Sequence, residues 1–81
     1  MKIFLLTRKD QAGYDEYDSC VVVAESKEDA VQITPEGSSF DPEEYLPCYS
    51  WVVPSDVICK DVGEAGKDQK RGLLCASFNA G

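Results

Sequence analysis

The first apolar run, Lys2 to Arg8, places Ile3 and Leu5 on one side of an extended chain and Phe4 and Leu6 on the other. A strand with two apolar sides belongs in the middle of a sheet. Ser19 to Glu25 carries Val21, Val22 and Val23 in succession, which is β-branched, short and predicts a second strand. Between them, Lys9 to Asp18 interleaves acids with Tyr14 and Tyr17 around Gly13, a composition that closes a hairpin or a wide loop. Ser26-Lys27-Glu28-Asp29 has the form of a helix start, because a serine hydroxyl accepts the unpaired amide three residues on and acids favour the first turn. Ala30, Val31 and Ile33 supply a narrow apolar stripe, and Pro35 ends it, so a helix of about two turns is predicted from Lys27 to Ile33. Val57 to Val62 and Gly72 to Phe78 predict a third and a fourth strand, joined by a glycine-rich, charged connection from Gly63 to Arg71.

Glu36 to Ser50 fits none of these periods. It holds Pro42 and Pro47 with Phe40, Tyr45, Leu46 and Tyr49, and an aromatic loop of that length is expected to pack on something. Trp51 to Val53 predicts a short extended piece before Pro54. The order is β-β-α-(long loop)-β-β: an α+β fold with a single antiparallel sheet of about four strands, one short helix and a long aromatic and acidic loop. Residues 1–81 make one compact domain. Both parities are apolar in the second and fourth strands as well, with Val21 and Val23 opposing Cys20, Val22 and Ala24, and Leu74, Ala76 and Phe78 opposing Leu73 and Cys75. One short helix hides one face. The other calls for the aromatic loop, a second copy of the chain or a different partner. A domain this small buries only about 60% of the surface its unfolded chain exposes, which makes a homodimer a live expectation.

Composition narrows the chemistry. Eight Lys and Arg against 15 Asp and Glu give a formal charge of −7, which repels phosphate backbones and anionic lipid, so no direct nucleic-acid or membrane-surface binding is expected. There is no histidine, hence no imidazole base, no histidine-activated nucleophile and no histidine metal ligand. Cys20, Cys48, Cys59 and Cys75 include no Cys-x-x-Cys pair, and no metal or other cofactor is implied. Cys20, Cys59 and Cys75 fall in β-like runs, where cysteine acts as a small hydrophobe; Cys59 beside Lys60 is the one hint of a lowered thiol pKa. The N-terminal apolar run is too short for a signal peptide or a membrane span, so the expected location is a reducing cytoplasm with free thiols. Asp15-Glu16-Tyr17-Asp18 lacks the glycine and terminal glutamate of a calcium loop, and the expectation is a protein that is not an enzyme.

Two surfaces of opposite sign remain. From Ser26 to Asp56 there are seven acids and one lysine, and Asp41, Glu43 and Glu44 accompany Phe40 and Tyr45. Asp10, Asp15, Glu16 and Asp18 form a second acidic group with Tyr14 and Tyr17. Acids among aromatic rings steer a protein to a basic groove and anchor it there, which nominates Asp15, Glu16, Tyr17, Phe40, Asp41, Glu43, Glu44 and Tyr45 as partner-binding residues. The same pattern also suits an ordinary solvated loop. The alternative surface is Gly66 to Gly72, read as a hairpin tip, where Lys67, Lys70 and Arg71 could hold a phosphate-bearing ligand, although the Walker spacing is absent.

Four patches carry a resemblance: Met1-Lys2-Ile3-Phe4-Leu5-Leu6-Thr7; Gly13-Tyr14-Asp15 with Tyr17-Asp18-Ser19 and Val21-Val22-Val23-Ala24; Val62-Gly63-Glu64-Ala65; and Ala76 to Gly81. In these the chain resembles a group of small, uncharacterised bacteriophage and prophage proteins. The patches span somewhat under half of the chain and contain no catalytic motif. The resemblance implies a setting: small acidic phage proteins of this kind resemble inhibitors of host defence, anti-CRISPR proteins among them, whose partner would be a host defence protein such as a CRISPR effector subunit. It equally implies an oligomeric sponge that sequesters a defence system's nucleotide signal, or a structural or regulatory phage module.

Overall fold

Pairing of the central strands follows from their apolar faces. A computed structural model describes residues 1–10, 16–37, 39, 40 and 51–79. In it β1 (Lys2–Arg8) lies antiparallel to β2 (Glu16–Ala24), with Phe4 opposite Val22 and Leu6 opposite Cys20. After β2 come α1 (Lys27–Ala30), a 3-10 turn at Pro54–Asp56, β3 (Val57–Glu64) and β4 (Gly72–Asn79). The four strands form one antiparallel sheet in the order β3-β1-β2-β4. The molecule is thus the small α+β fold that the apolar pattern predicts, with β1 in the interior of the sheet.

The order corrects one expectation. The connection from β3 to β4 is not a hairpin, because the two strands occupy opposite edges and residues 65–71 cross the end of the sheet past β1 and β2. Three strand spacings of about 4.8 Å are well within the reach of seven residues. Ala65 N donates to Met1 O (3.1 Å) and Gln69 N to Gly66 O (3.0 Å) along the way.

The helix is also shorter than its stripe suggests. Ser26 caps it as predicted, in extended conformation, with its hydroxyl accepting from Asp29 N at 3.1 Å. After Ala30 the ladder changes: Gln32 N bonds Asp29 O and Ile33 N bonds Ala30 O, which are three-residue closures that tighten the chain out of the α-helix. Gly37 then adopts φ 88°, and its amide closes a turn on Thr34 O before Ile33 pairs with Ser39 across an isolated bridge.

Phe4, Leu6, Cys20, Val22, Ala24 and Val57 face Ala30, Ile33 and Trp51 to make the core. Full burial of a Leu or Phe contributes about 1.5–3 kcal/mol, so these few side chains dominate the stability of so small a sheet. Strict alternation fails at three bulges, one of them in β3, where Val62 falls between the Phe4–Asp61 and Ile3–Gly63 pairs. Val21 pairs with Cys75 but Val22 with Leu73, so Leu74 is an extra residue and Leu73 shares the core face with Ala76 instead of opposing it. Asp18 is the extra residue in β2, which turns Tyr17 towards Phe78, their ring centroids 4.8 Å apart.

Candidate functional site

At the end of β1 the guanidinium of Arg8 is nearly hidden, its side chain 5% exposed. All three of its nitrogens are engaged: Nε donates to Asp10 Oδ1 (2.8 Å), Nη1 to the Tyr17 carbonyl (3.1 Å), and Nη2 to Asp10 Oδ2 (3.1 Å) and Glu16 Oε2 (3.5 Å). The β1–β2 pairing brings these groups together, and Lys9 N donates to Asp56 O (3.0 Å), which draws the 3-10 turn to the same end. The guanidinium holds the Asp10 carboxyl below its ordinary pKa, chiefly by direct hydrogen bonding.

Around this cluster is a pocket of about 320 Å³ lined by Arg8, Asp10, Glu16, Trp51, Val52, Val53 and Asp56. Three carboxylates surround one already engaged guanidinium, so the lining is net negative. Trp51 is 4% exposed and forms a rigid wall, while Val53 is 40% exposed and offers apolar contact. Carboxylates beside an apolar wall suit a cationic side chain with an aliphatic stem, a lysine or an arginine, better than an anion.

Of the predicted partner-binding residues, Glu16 stands in this pocket. Tyr17 packs against the core and Phe78, and presents its carbonyl to Arg8. Phe40 is half-buried near the end of α1, its amide donating to Gln32 O at 2.7 Å. Asp15, Asp41, Glu43, Glu44 and Tyr45 lie outside the described residues, as does Cys48. Sequence reading nominated Asp10 and Glu16 as part of an acidic group but missed Arg8, Trp51 and Asp56. A strand-terminal arginine beside a cluster of acids was the available signal.

The predicted basic surface is divided. Lys67 and Lys70 are exposed on the crossing segment. Arg71 is drawn onto α1, where Nε lies 2.9 Å from both oxygens of Asp29 and Nη2 2.8 Å from Oδ1.

The thiols differ by position. Cys20 is buried and its pKa is pushed up to about 12, mainly by desolvation. Burial raises the Cys59 thiol too, against a smaller opposing effect of Lys27, so the hint drawn from Lys60 is overturned: alternation sends Lys60 to the other face of the strand. Cys75 is exposed. Among the described residues, no three His, Cys, Asp or Glu side chains cluster as metal ligands, and no helix is long and apolar enough to cross a membrane. Compared with protein-family models, curated proteins and solved structures, the chain matches none.

Proposed function

We propose that this chain is a non-enzymatic binding protein that receives a basic side chain of a protein partner in the pocket formed by Asp10, Glu16, Asp56 and Val53. The observation that carries the reading is the charge balance of that pocket: three carboxylates line it, and its guanidinium is engaged by two of them and by a backbone carbonyl. The resemblance to small phage proteins supplies the setting, an inhibitor of host defence of the anti-CRISPR kind acting in the bacterial cell. Effectors that hold nucleic acid in positively charged channels present the basic side chains such a pocket suits. Asp41, Glu43 and Glu44 remain acidic candidates for the same kind of partner by their sequence. A nucleotide sponge has less support, since Arg71 pairs with Asp29.

The test is affinity capture from bacterial host lysate with wild type and with Asp56→Lys, at low and high salt, read by mass spectrometry. The proposal expects a stoichiometric defence component, such as a CRISPR effector subunit, held by wild type at low salt and lost both in high salt and with the variant. Equal recovery by the variant overturns the site. A nucleotide that raises the melting temperature and requires Lys67 and Lys70 would favour the sponge instead.

A further inference from the structure

The face of the sheet turned away from α1 and Trp51 is apolar and almost uncharged. Register places Ile3 beside Val23, Leu5 beside Val21 and Thr7 beside Ile58, and Val62, the extra residue between the Phe4–Asp61 and Ile3–Gly63 pairs, stands at the same β3 edge. Val23 is fully buried, Ile3, Leu5 and Val21 are partly exposed, and Ile58 and Val62 are 49% and 50% exposed. One end of the face is closed by Thr7, Ser19 and Ser77, where the Ser19 hydroxyl donates to Asp18 Oδ1 at 3.1 Å and so brings one carboxylate to that rim. Lys60 is the charged residue that alternation adds to these rows, and the carboxylates of β3 lie elsewhere: Asp61 bonds Lys2 at 2.9 Å, and Glu64 pairs with Lys2 on the α1 side.

We infer that this face is the interface of a two-fold dimer of the chain, in which two sheets pack face to face about 10 Å apart. Charge selects a second copy as the occupant. Two chains of −7 each repel, and this face, where Lys60 balances the Asp18 carboxylate at its rim, lets them meet where that repulsion is weakest. Area agrees. Four strands about 4.8 Å apart and about 25 Å long present roughly 500 Å² in projection, so two copies remove about 1,000 Å² or more, the threshold of a specific interface. The burial that an 81-residue domain lacks on its own is thereby supplied. This inference is independent of the pocket at Arg8.

The experiment is sedimentation equilibrium of the full chain under reducing conditions, at low and high salt, with wild type and with the double variant Ile58→Asp/Val62→Asp. Both substituted side chains are about half exposed in the single chain, so the variant keeps the wild-type circular dichroism spectrum. Wild type is expected at twice its 8.9 kDa mass, with the dimer tightening as salt screens the acidic repulsion. The double variant weakens the dimer more than about tenfold and speeds alkylation of Cys75, which shares the face with Val21. A monomer at high salt and high concentration overturns the inference. So does a dimer that the double variant leaves intact, which would place the contact at the β4 edge or elsewhere.

Discussion

Arg71, at the end of the segment that crosses the end of the sheet, grips Asp29 of α1 with Nε 2.9 Å from both carboxylate oxygens and Nη2 2.8 Å from Oδ1. Asp29 also accepts from the Glu25 amide at 3.2 Å, while its own amide is held by Ser26 Oγ. A single carboxylate therefore joins the crossing, the helix start and the end of β2. A helix of one turn has almost no stability of its own, so such external ties decide whether it forms.

The Asp29→Asn variant is expected to lose up to about 1 kcal/mol at neutral pH, a modest figure because Arg71 is 41% exposed and solvent screens the pair. Hydrogen bonding to Arg71 holds the Asp29 pKa below its ordinary value in the folded state. Stability from this group is therefore fully present above the ordinary carboxylate pKa of about 3.9 and is lost as pH falls through the lower folded value. Thermal melts from pH 7 downwards check this. The acid-induced loss of melting temperature should be shallower in the variant than in wild type.

Arg8→Met removes a nearly hidden guanidinium, leaving Asp10 and Glu16 to repel and the Tyr17 carbonyl without that donor. The expected cost is about 1–3 kcal/mol in urea unfolding. An unchanged midpoint would mean that water replaces the guanidinium without loss.

Leu6 is fully buried between β2 and β3, opposite Cys20 and Cys59. Leu6→Ala is expected to cost about 2–5 kcal/mol, which approaches the whole stability of a domain this small. Ile58→Ala, at a half-exposed position, should cost far less in the monomer. Chemical denaturation of both variants at low concentration makes the comparison.

In the single chain, at a concentration low enough to dissociate any dimer, thiol reactivity should rank as Cys75, then Cys59, then Cys20. Exposure favours Cys75, whereas burial raises the pKa of Cys59 and pushes Cys20 to about 12. Peptide mapping after timed alkylation reads the order. Early labelling of Cys20 would show that the β2 core opens readily.

The strands were legible because a buried β-run declares itself by its apolar parity, as Phe4 and Leu6 against Ile3 and Leu5 do. Strand order was not, since a connection of seven residues between β3 and β4, five of them polar or charged, is as compatible with a hairpin as with a crossing, and only the completed pairing of β1 with both neighbours decides. The helix was overextended because Val31 and Ile33 continue an apolar stripe that three-residue closures produce equally well. Leu73 and Leu74 misled for a related reason: a bulge is a property of two strands in register, invisible in one. In the pocket, Glu16 was found by its acidic company. Trp51 and Asp56 were missed because more than 40 residues separate them from Arg8 along the chain, and the β1–β3 pairing with the Lys9–Asp56 backbone bond brings them to it.

The most direct test of the pocket is a nuclear magnetic resonance titration of the isotopically labelled full chain with methylguanidinium, set beside acetate as the oppositely charged probe. The account predicts that methylguanidinium shifts the amides of Arg8 to Asp10, Glu16 and Trp51 to Asp56, that acetate does not, and that Asp56→Lys weakens the response. Shifts confined to Gly66 to Arg71, or a pocket that answers acetate instead, would contradict it.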